Sequence, residues 1–212
     1  MNKLRIIYIQ ALVISFAMIA ISTQVNADAK RDKRQAYQEI CSRSYHSIII
    51  NRTSKSQIIE YTKSAIKKSP GAKGQLKSME AKRLKETDAL ISKEKTKLAR
   101  LVKKYADVGF NLSTVENICK KYLTEVSCQS VMQGAAFKKN PDPKTIDRAT
   151  KPFIAFVNAA NESKYSPRQL FDYCKGDFAT YCKNKNTDHA LADMGQTAKA
   201  WCDIFSGKYK RK

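Results

Sequence analysis

Apolar residues recur every three or four positions along almost the whole chain after residue 36. The first such set comprises Tyr37, Ile40, Cys41, Tyr45, Ile48 and Ile49. Residues at this spacing form one stripe along the side of an α-helix, whereas a half-buried strand would alternate apolar and polar residues. The sequence therefore predicts an all-α fold with about six helices.

Polar residues and a proline divide the first part of this pattern. The polar run at residues 51–55 predicts a break, and Ser54 with Gln57 has the spacing of a capping box that opens a second helix. That helix is predicted to end at residues 69–71, because proline cannot continue a helix and glycine readily turns the chain.

The longest predicted helix covers residues 74–107 and stops at Gly109. Its apolar stripe is narrow, and most of its other positions are charged. Together with the preceding helix it predicts a basic helical hairpin over residues 54–108.

Capping signals predict further helices over residues 111–206, the cysteine-rich part of the chain. The expected helix starts are Ser113 with Glu116, a short turn at Asp142-Pro143, Ser166-Pro167 with Gln169, and either Thr187 or Asp188. Residues 153–160 are apolar and short, and a helix fits them better than a strand because their neighbours are helical.

Six cysteines occur in the chain: Cys41, Cys119, Cys128, Cys174, Cys182 and Cys202. No two of them form a C-x-x-C pair and the chain has only two histidines, so a metal site is not indicated. An even number of cysteines is typical of disulfides in an exported protein. We therefore expect disulfides and neither a metal nor a cofactor, in a protein whose N-terminus, described below, predicts a periplasmic or secreted location.

Helix geometry restricts which of these cysteines can pair. On one straight helix, Cys119 and Cys128 point to opposite sides, and Cys174 and Cys182 lie two turns apart. A disulfide requires Cα atoms within about 7 Å, so bridges should run between helices.

Our expected pairing joins the helix that carries Cys119 and Cys128 to the helix that carries Cys174 and Cys182. It leaves Cys41 to pair with Cys202. Spacing alone does not select this arrangement among the alternatives.

Residues 1–27 have the parts of a secretory signal peptide. Lys3 and Arg5 precede an apolar run over residues 6–21, and Val25-Asn26-Ala27 fits the small-residue rule for cleavage. The mature protein would then be a single helical domain over residues 28–212. An uncleaved membrane anchor is the alternative, because basic residues soon after the apolar run oppose translocation.

The formal net charge is +21, and it is unevenly distributed. Residues 30–105 hold 21 Lys or Arg against 7 Asp or Glu, whereas residues 106–212 hold 17 against 11. The basic face of the predicted hairpin comprises Lys67, Lys68, Lys77, Lys82, Arg83, Lys93, Lys97, Arg100, Lys103 and Lys104. A surface of this charge attracts acidic partners.

Few residues suggest catalysis. The chain has no H-E-x-x-H, G-x-S-x-G or P-loop motif. Its two histidines, His46 and His189, would have to meet to form a ribonuclease-like acid–base pair, and a surface or capping role is more common. Glu125 and Asp172 lie near cysteine-bearing stripes, where each is expected to be a helix charge with a partner rather than a catalytic group.

These features favour an exported, non-enzymatic binding protein. Its expected partner is an acidic protein or an anionic envelope polymer, and an inhibitor or immunity-type protein belongs to this class. One alternative is a membrane-active secreted effector that docks on anionic lipid, and nucleic acid is a further possible partner. The other alternative is an exported hydrolase or nuclease.

Overall fold

The computed structural model describes residues 31–186 and 188–208. These residues contain seven α-helices and no strand, which confirms the all-α prediction. The helices are α1 (His46–Lys68), α2 (Lys73–Lys104), α3 (Val115–Gly134), α4 (Pro143–Thr150), α5 (Ile154–Asn161), α6 (Pro167–Asn184) and α7 (Gln196–Phe205). None of the described helices has both the length and the apolar character needed to cross a membrane. The predicted signal, residues 1–27, lies outside the described residues.

The predicted break at residues 51–55 is wrong. The chain is helical without interruption from residue 31 to residue 68, with a π-helical segment over Tyr37–Tyr45. The side chains of Asn51, Thr53 and Ser54 donate hydrogen bonds to the carbonyl oxygens four residues earlier. These bonds satisfy the polar groups inside the helix, so a polar run without proline or glycine does not end it.

Helices α1 and α2 form the predicted antiparallel hairpin, connected by a short 3₁₀ turn over Pro70–Ala72. In the half of the hairpin nearest its turn, only Thr62 and Thr87 are buried. Each threonine hydroxyl donates to a carbonyl oxygen of its own helix. Apolar burial is therefore sparse in this half of the hairpin, and its outer faces are exposed.

Two clusters of buried side chains form the core, and α3 contributes to both. The first includes residues from the π-helical segment, the start of α1, the end of α2 and the first half of α3. The second joins the second half of α3 to α4, α5, α6 and α7. Phe156 of α5 packs against both clusters. Helix α3 thus connects the base of the hairpin to the C-terminal helices.

Three sequence signals in the C-terminal part are confirmed. Ser166 forms the expected capping box with Gln169 at the start of α6. The side chain of Asp142 caps α4 by accepting from the backbone N–H of Thr145 at 3.0 Å. The apolar residues 153–160 fall largely in α5, which is a helix rather than a strand.

The capping box expected from Ser113 and Glu116 is wrong. The side chain of Asn111 accepts hydrogen bonds from the backbone N–H groups of Ser113 and Thr114 instead. Glu116 is turned toward Tyr45 and Arg52 of the first helical run. A tertiary ion pair has therefore replaced a local cap.

The cap expected for the last helix is also wrong. A 3₁₀ turn over Ala190–Met194 precedes α7, and His189 caps that turn through its ring. Gly195, with a φ of 54°, then connects the turn to α7. A second helical element thus separates the expected capping position from the final helix, and Thr187 lies outside the described residues.

The disulfides connect consecutive cysteines: Cys41–Cys119, Cys128–Cys174 and Cys182–Cys202. As expected, no bridge joins two cysteines of one helix, and the second bridge links α3 to α6. The expected Cys41–Cys202 pair is wrong, because Cys41 faces the first half of α3 and Cys202 faces the end of α6. Three disulfides indicate an oxidising environment, either periplasmic or extracellular.

Candidate functional site

All ten residues of the predicted basic face are exposed. Lys67 and Lys68 lie in the last turn of α1, and the other eight lie on α2. No single face collects them all. On α2, however, most of the exposed cations and the packed apolar residues lie on opposite sides of the helix.

One side of α2 carries a continuous row of cations. Successive residues are rotated by about 100° around a helix axis. On this basis Lys82, Lys85, Lys93, Lys97, Arg100, Lys103 and Lys104, here called the basic stripe, fall within an arc of about 120°. Ile91, Leu98 and Val102, which pack in the first core, lie on the opposite side, and so does the half-buried Leu84. The stripe therefore faces solvent along about 33 Å of helix.

Most cations of the basic stripe have no acidic partner among the described residues. Lys97 contacts Glu94 at 3.8 Å, and Lys104 contacts Glu39 at 3.1 Å. The other five members form no ion pair in this part of the chain, and Glu86 is the only acidic residue of α2 within the same arc. The stripe thus keeps a strong positive field.

The remaining four residues of the predicted face lie elsewhere on the hairpin. Lys67 and Lys68 are close to the turn, and helix geometry places Lys77 and Arg83 outside the arc of the stripe. Lys77 is paired with Glu80 at 2.8 Å. We therefore restrict the candidate surface to the basic stripe.

The two histidines lie in different surroundings. His46 of α1 packs against Phe156 with ring centroids 4.8 Å apart, and burial lowers the pKa of His46. His189 lies beside α6 and packs against Tyr181. The two line separate cavities, so the geometry does not assemble a ribonuclease-like pair from them.

His189 instead joins a buried cluster with Glu125 of α3 and Asp177 of α6. The ring atom Nε2 of His189 lies 3.0 Å from Asp177 Oδ2 and 3.9 Å from Glu125 Oε1. Glu125 is only 3% exposed, and its Oε2 accepts a hydrogen bond from the backbone N–H of Ala190 at 2.9 Å. Burial raises the pKa of Glu125, although the Ala190 N–H, His189 and Lys121 oppose this rise.

The three side chains offer ligand atoms within 4.8 Å of one another, a spacing compatible with a metal ion. The hydrogen bonds of His189 argue against this use. Its Nδ1 accepts from the backbone N–H of Leu191 at 3.0 Å, so the neutral ring carries its proton on Nε2 and donates to Asp177. Neither ring nitrogen retains a free lone pair for a metal or for general base catalysis.

The roles of the acidic residues differ from one another. Asp172 is exposed on α6 and pairs with Arg168 at 2.9 Å, as expected for a helix charge with a partner. Glu125 has a local partner too, Lys121 one turn earlier at 3.8 Å. Its other partners, the backbone N–H of Ala190 and the ring of His189, come from a distant part of the chain. Asp177 was not singled out by the sequence, because no local motif connects it to Glu125 and His189.

No protein-family model, curated protein or solved structure matches the chain. The assignment of function therefore depends on the geometry of the basic stripe and of the clusters around α3.

Proposed function

We propose that the protein is an exported, non-enzymatic binding protein that docks on an acidic partner through the basic stripe of α2. The observation that carries this proposal is the placement of seven exposed cations on one side of α2, opposite its packed side. Export is supported by the signal-like sequence of residues 1–27 and by the three disulfides.

The mechanism would be electrostatic capture. A row of like charges on a helix that is packed along its other side raises the rate of encounter with an acidic surface and fixes its orientation. The five stripe cations that have no acidic partner within residues 31–186 and 188–208 can contact the partner without first breaking an ion pair there. An inhibitor or immunity-type protein would use the same contact to cover the active site of its target.

The composition of α2 disfavours two other partners. The helix has no aromatic residue, whereas platforms for single-stranded nucleic acid stack bases on aromatic rings. Helices that lie in a membrane surface usually present a broad apolar face with Trp or Phe, and the exposed side of α2 is predominantly charged. An acidic protein or anionic polymer fits this surface better.

Charge reversal on the stripe tests the proposal. The variant Lys93→Glu/Arg100→Glu removes two unpaired stripe cations. The matched control Lys144→Glu/Lys199→Glu changes the net charge equally at exposed lysines outside the hairpin. The oxidised protein is immobilised and exposed to envelope and secreted extract, and retained material is eluted in salt steps.

We expect wild type and control to retain a defined acidic partner and the stripe variant to lose it. Elution should require salt well above physiological ionic strength, where the screening length falls below about 8 Å. Equal loss in both variants would show that net charge, rather than the stripe, attracts the material. Equal retention in both would place the binding surface elsewhere.

A further inference from the structure

A crevice of about 330 Å³ opens beside the buried cluster, between the π-helical segment and α3. Its wall is mostly aromatic and aliphatic, formed by Tyr37, Val108, Phe110, Ile118 and Tyr122. Tyr37 lies at the centre of this wall, 5.1 Å from the Phe110 ring and 4.8 Å from the Tyr122 ring. Cavities of this size and lining are typical of small-molecule sites.

Glu125, a buried acidic residue of α3, is among the residues that line the crevice. Its side chain is 4% exposed, and Oε2 is already bonded to the Ala190 N–H. The other oxygen, Oε1, lies 3.8 Å from Lys121 Nζ and 3.9 Å from His189 Nε2. Both distances exceed that of a hydrogen bond, so this oxygen of a crevice-lining residue has capacity for a further donor.

The charged residues that line the crevice indicate which chemical groups a ligand would need. Lys33 and Asp188 pair with each other at 2.8 Å. Lys121 and Glu125 remain as a cation and an anion that attract each other without a hydrogen bond. A ligand with an ammonium and a carboxylate would give each of them a charge-assisted hydrogen bond.

We propose that this crevice binds a free α-amino acid with an apolar side chain. The ligand ammonium would donate to Glu125 Oε1, and its carboxylate would accept from Lys121. The two charged groups of an α-amino acid are separated by two bonds of about 1.5 Å each, which suits partners that lie 3.8 Å apart. The side chain would then pack on the aromatic wall.

Two further features fit this assignment. Tyr37 and Tyr122 line the same crevice as Glu125, and the faces of aromatic rings attract cations. The ligand ammonium would also relieve the cost of burying the Glu125 carboxylate, whose pKa burial raises. The π-helical segment that supplies Tyr37 is a backbone form that is rare and often occurs at functional sites.

Isothermal titration calorimetry of the oxidised protein at pH 7 tests the proposal, with L-phenylalanine and L-leucine as probes. We expect at least one of them to bind with a Kd of about 1 mM or tighter. N-acetyl-L-phenylalanine lacks the ammonium and phenethylamine lacks the carboxylate, so each should bind at least about tenfold more weakly than L-phenylalanine. Failure of both amino acids to bind would overturn the proposal, and so would binding of either analogue as tightly as L-phenylalanine.

Variants locate the site. Lys121→Ala removes the lysine that would bind the ligand carboxylate, and it should weaken binding about tenfold or more. The control Lys144→Ala, at an exposed lysine outside the crevice, should leave binding unchanged. Glu125→Gln should weaken binding similarly. Because Glu125 is buried, circular dichroism must show that the Glu125→Gln variant is folded. Lys121→Ala gives an independent result, because the Lys121 side chain is 61% exposed. Unchanged binding in a folded Lys121→Ala variant would contradict the assignment.

This site is independent of the proposed docking surface. The charge-reversed variant Lys93→Glu/Arg100→Glu should bind the amino acid as wild type does. If that variant lost amino-acid binding in parallel with partner binding, the crevice would not be a separate site.

Discussion

The buried carboxylate of Glu125 accepts a hydrogen bond from the backbone N–H of Ala190 at 2.9 Å. The two residues are 65 positions apart in the chain. This bond fastens the 3₁₀ turn before α7 to the middle of α3. The same carboxylate lies near His189 and Asp177, so one side chain organises the junction between α3, α6 and the final turn.

Replacing Glu125 with Gln should change the pH dependence of stability. The folded pKa of Glu125 is raised above its ordinary value of 4.5, because burial disfavours the charged form. Its contribution to the free energy of unfolding is therefore full below about pH 4.5 and is lost as the pH rises through the folded pKa. We expect Glu125→Gln to gain stability relative to wild type as the pH rises from 4 to 7.

The measurement is urea denaturation of both proteins across this pH range. Glutamine retains an oxygen that can accept the Ala190 N–H, so the comparison isolates the charge. A free energy of unfolding of the variant, relative to that of wild type, that stayed constant or fell as the pH rose would contradict this prediction.

The Glu116 carboxylate should show the opposite pH dependence. Burial tends to raise the pKa of Glu116, but hydrogen bonds from Tyr45 and Arg52, together with nearby cations, lower it overall. Its contribution to stability is therefore present above pH 4.5 and is lost as the pH falls through the lowered value. We expect Glu116→Gln to cost about 0.5–1 kcal/mol at pH 7, because the side chain is half-exposed.

Thermal or urea unfolding at pH 7 and pH 2.5 measures this effect. The cost should largely disappear at the lower pH. Glu162→Gln serves as the control, because that side chain is 79% exposed and its nearest cation is 3.8 Å away. A comparable loss at Glu162 would assign the effect to net charge rather than to the contacts of Glu116.

Substituting alanine for two helical glycines should have opposite effects. A Cβ at Gly134 would lie 3.1 Å from Ala149 Cβ and 3.3 Å from its Cα, where α3 and α4 approach closely. We expect Gly134→Ala to destabilise the protein by about 1 kcal/mol, because a backbone atom cannot rotate away. Gly176 is exposed within α6 and has no atom near the added Cβ, so Gly176→Ala should stabilise by about 0.5–1 kcal/mol.

Differences in the denaturation midpoint, at equal m-values, measure both glycine effects. Stabilisation by both substitutions would show that helix propensity outweighs the close approach of α3 to α4, and destabilisation by Gly176→Ala would contradict the prediction for that position.

The disulfides should contribute unequally to stability. Their loops follow one another along the chain without overlap, with sequence separations of 78, 46 and 20. Closing a longer loop removes more conformational entropy from the unfolded chain. Removing Cys41 and Cys119 together should therefore cost about 1 kcal/mol more than removing Cys182 and Cys202 together.

Double Cys→Ala variants and equilibrium denaturation test this ranking. The Cys128–Cys174 variant should fall between the other two. A reversed order would show that native packing around each bridge, rather than the length of its loop, determines the contribution.

Much of the helical architecture follows from local chemistry. The apolar stripe predicts a helix over residues 74–107, and α2 covers Lys73–Lys104. The prediction succeeds because the spacing of apolar residues acts within a few residues along the chain. The caps of α4 and α6 are equally local. The break near Ser54 was wrong because helix interiors can satisfy polar side chains through the preceding turn.

The functional residues also divide into those that local sequence predicts and those that only the tertiary structure brings together. The excess of lysine after residue 63 was visible in composition, but the basic stripe depends on which side of α2 packs inward. The chemistry of Glu125, Asp177 and His189 was not predictable as a unit, because the three come from separate elements. Likewise, helix geometry excluded some cysteine pairs, yet only the packing of the π-helical segment on α3 brought Cys41 to Cys119.

By itself, the sequence determined the all-α class, the hairpin and the positive charge of α2. Periodicity, capping and charge act over one or two helical turns and need no knowledge of neighbours. The tertiary structure decided the disulfide pairing, the side of α2 left for solvent, and the crevice beside Glu125. These depend on contacts between residues far apart in the chain, whose approach is set by how the helices bury their apolar stripes against one another.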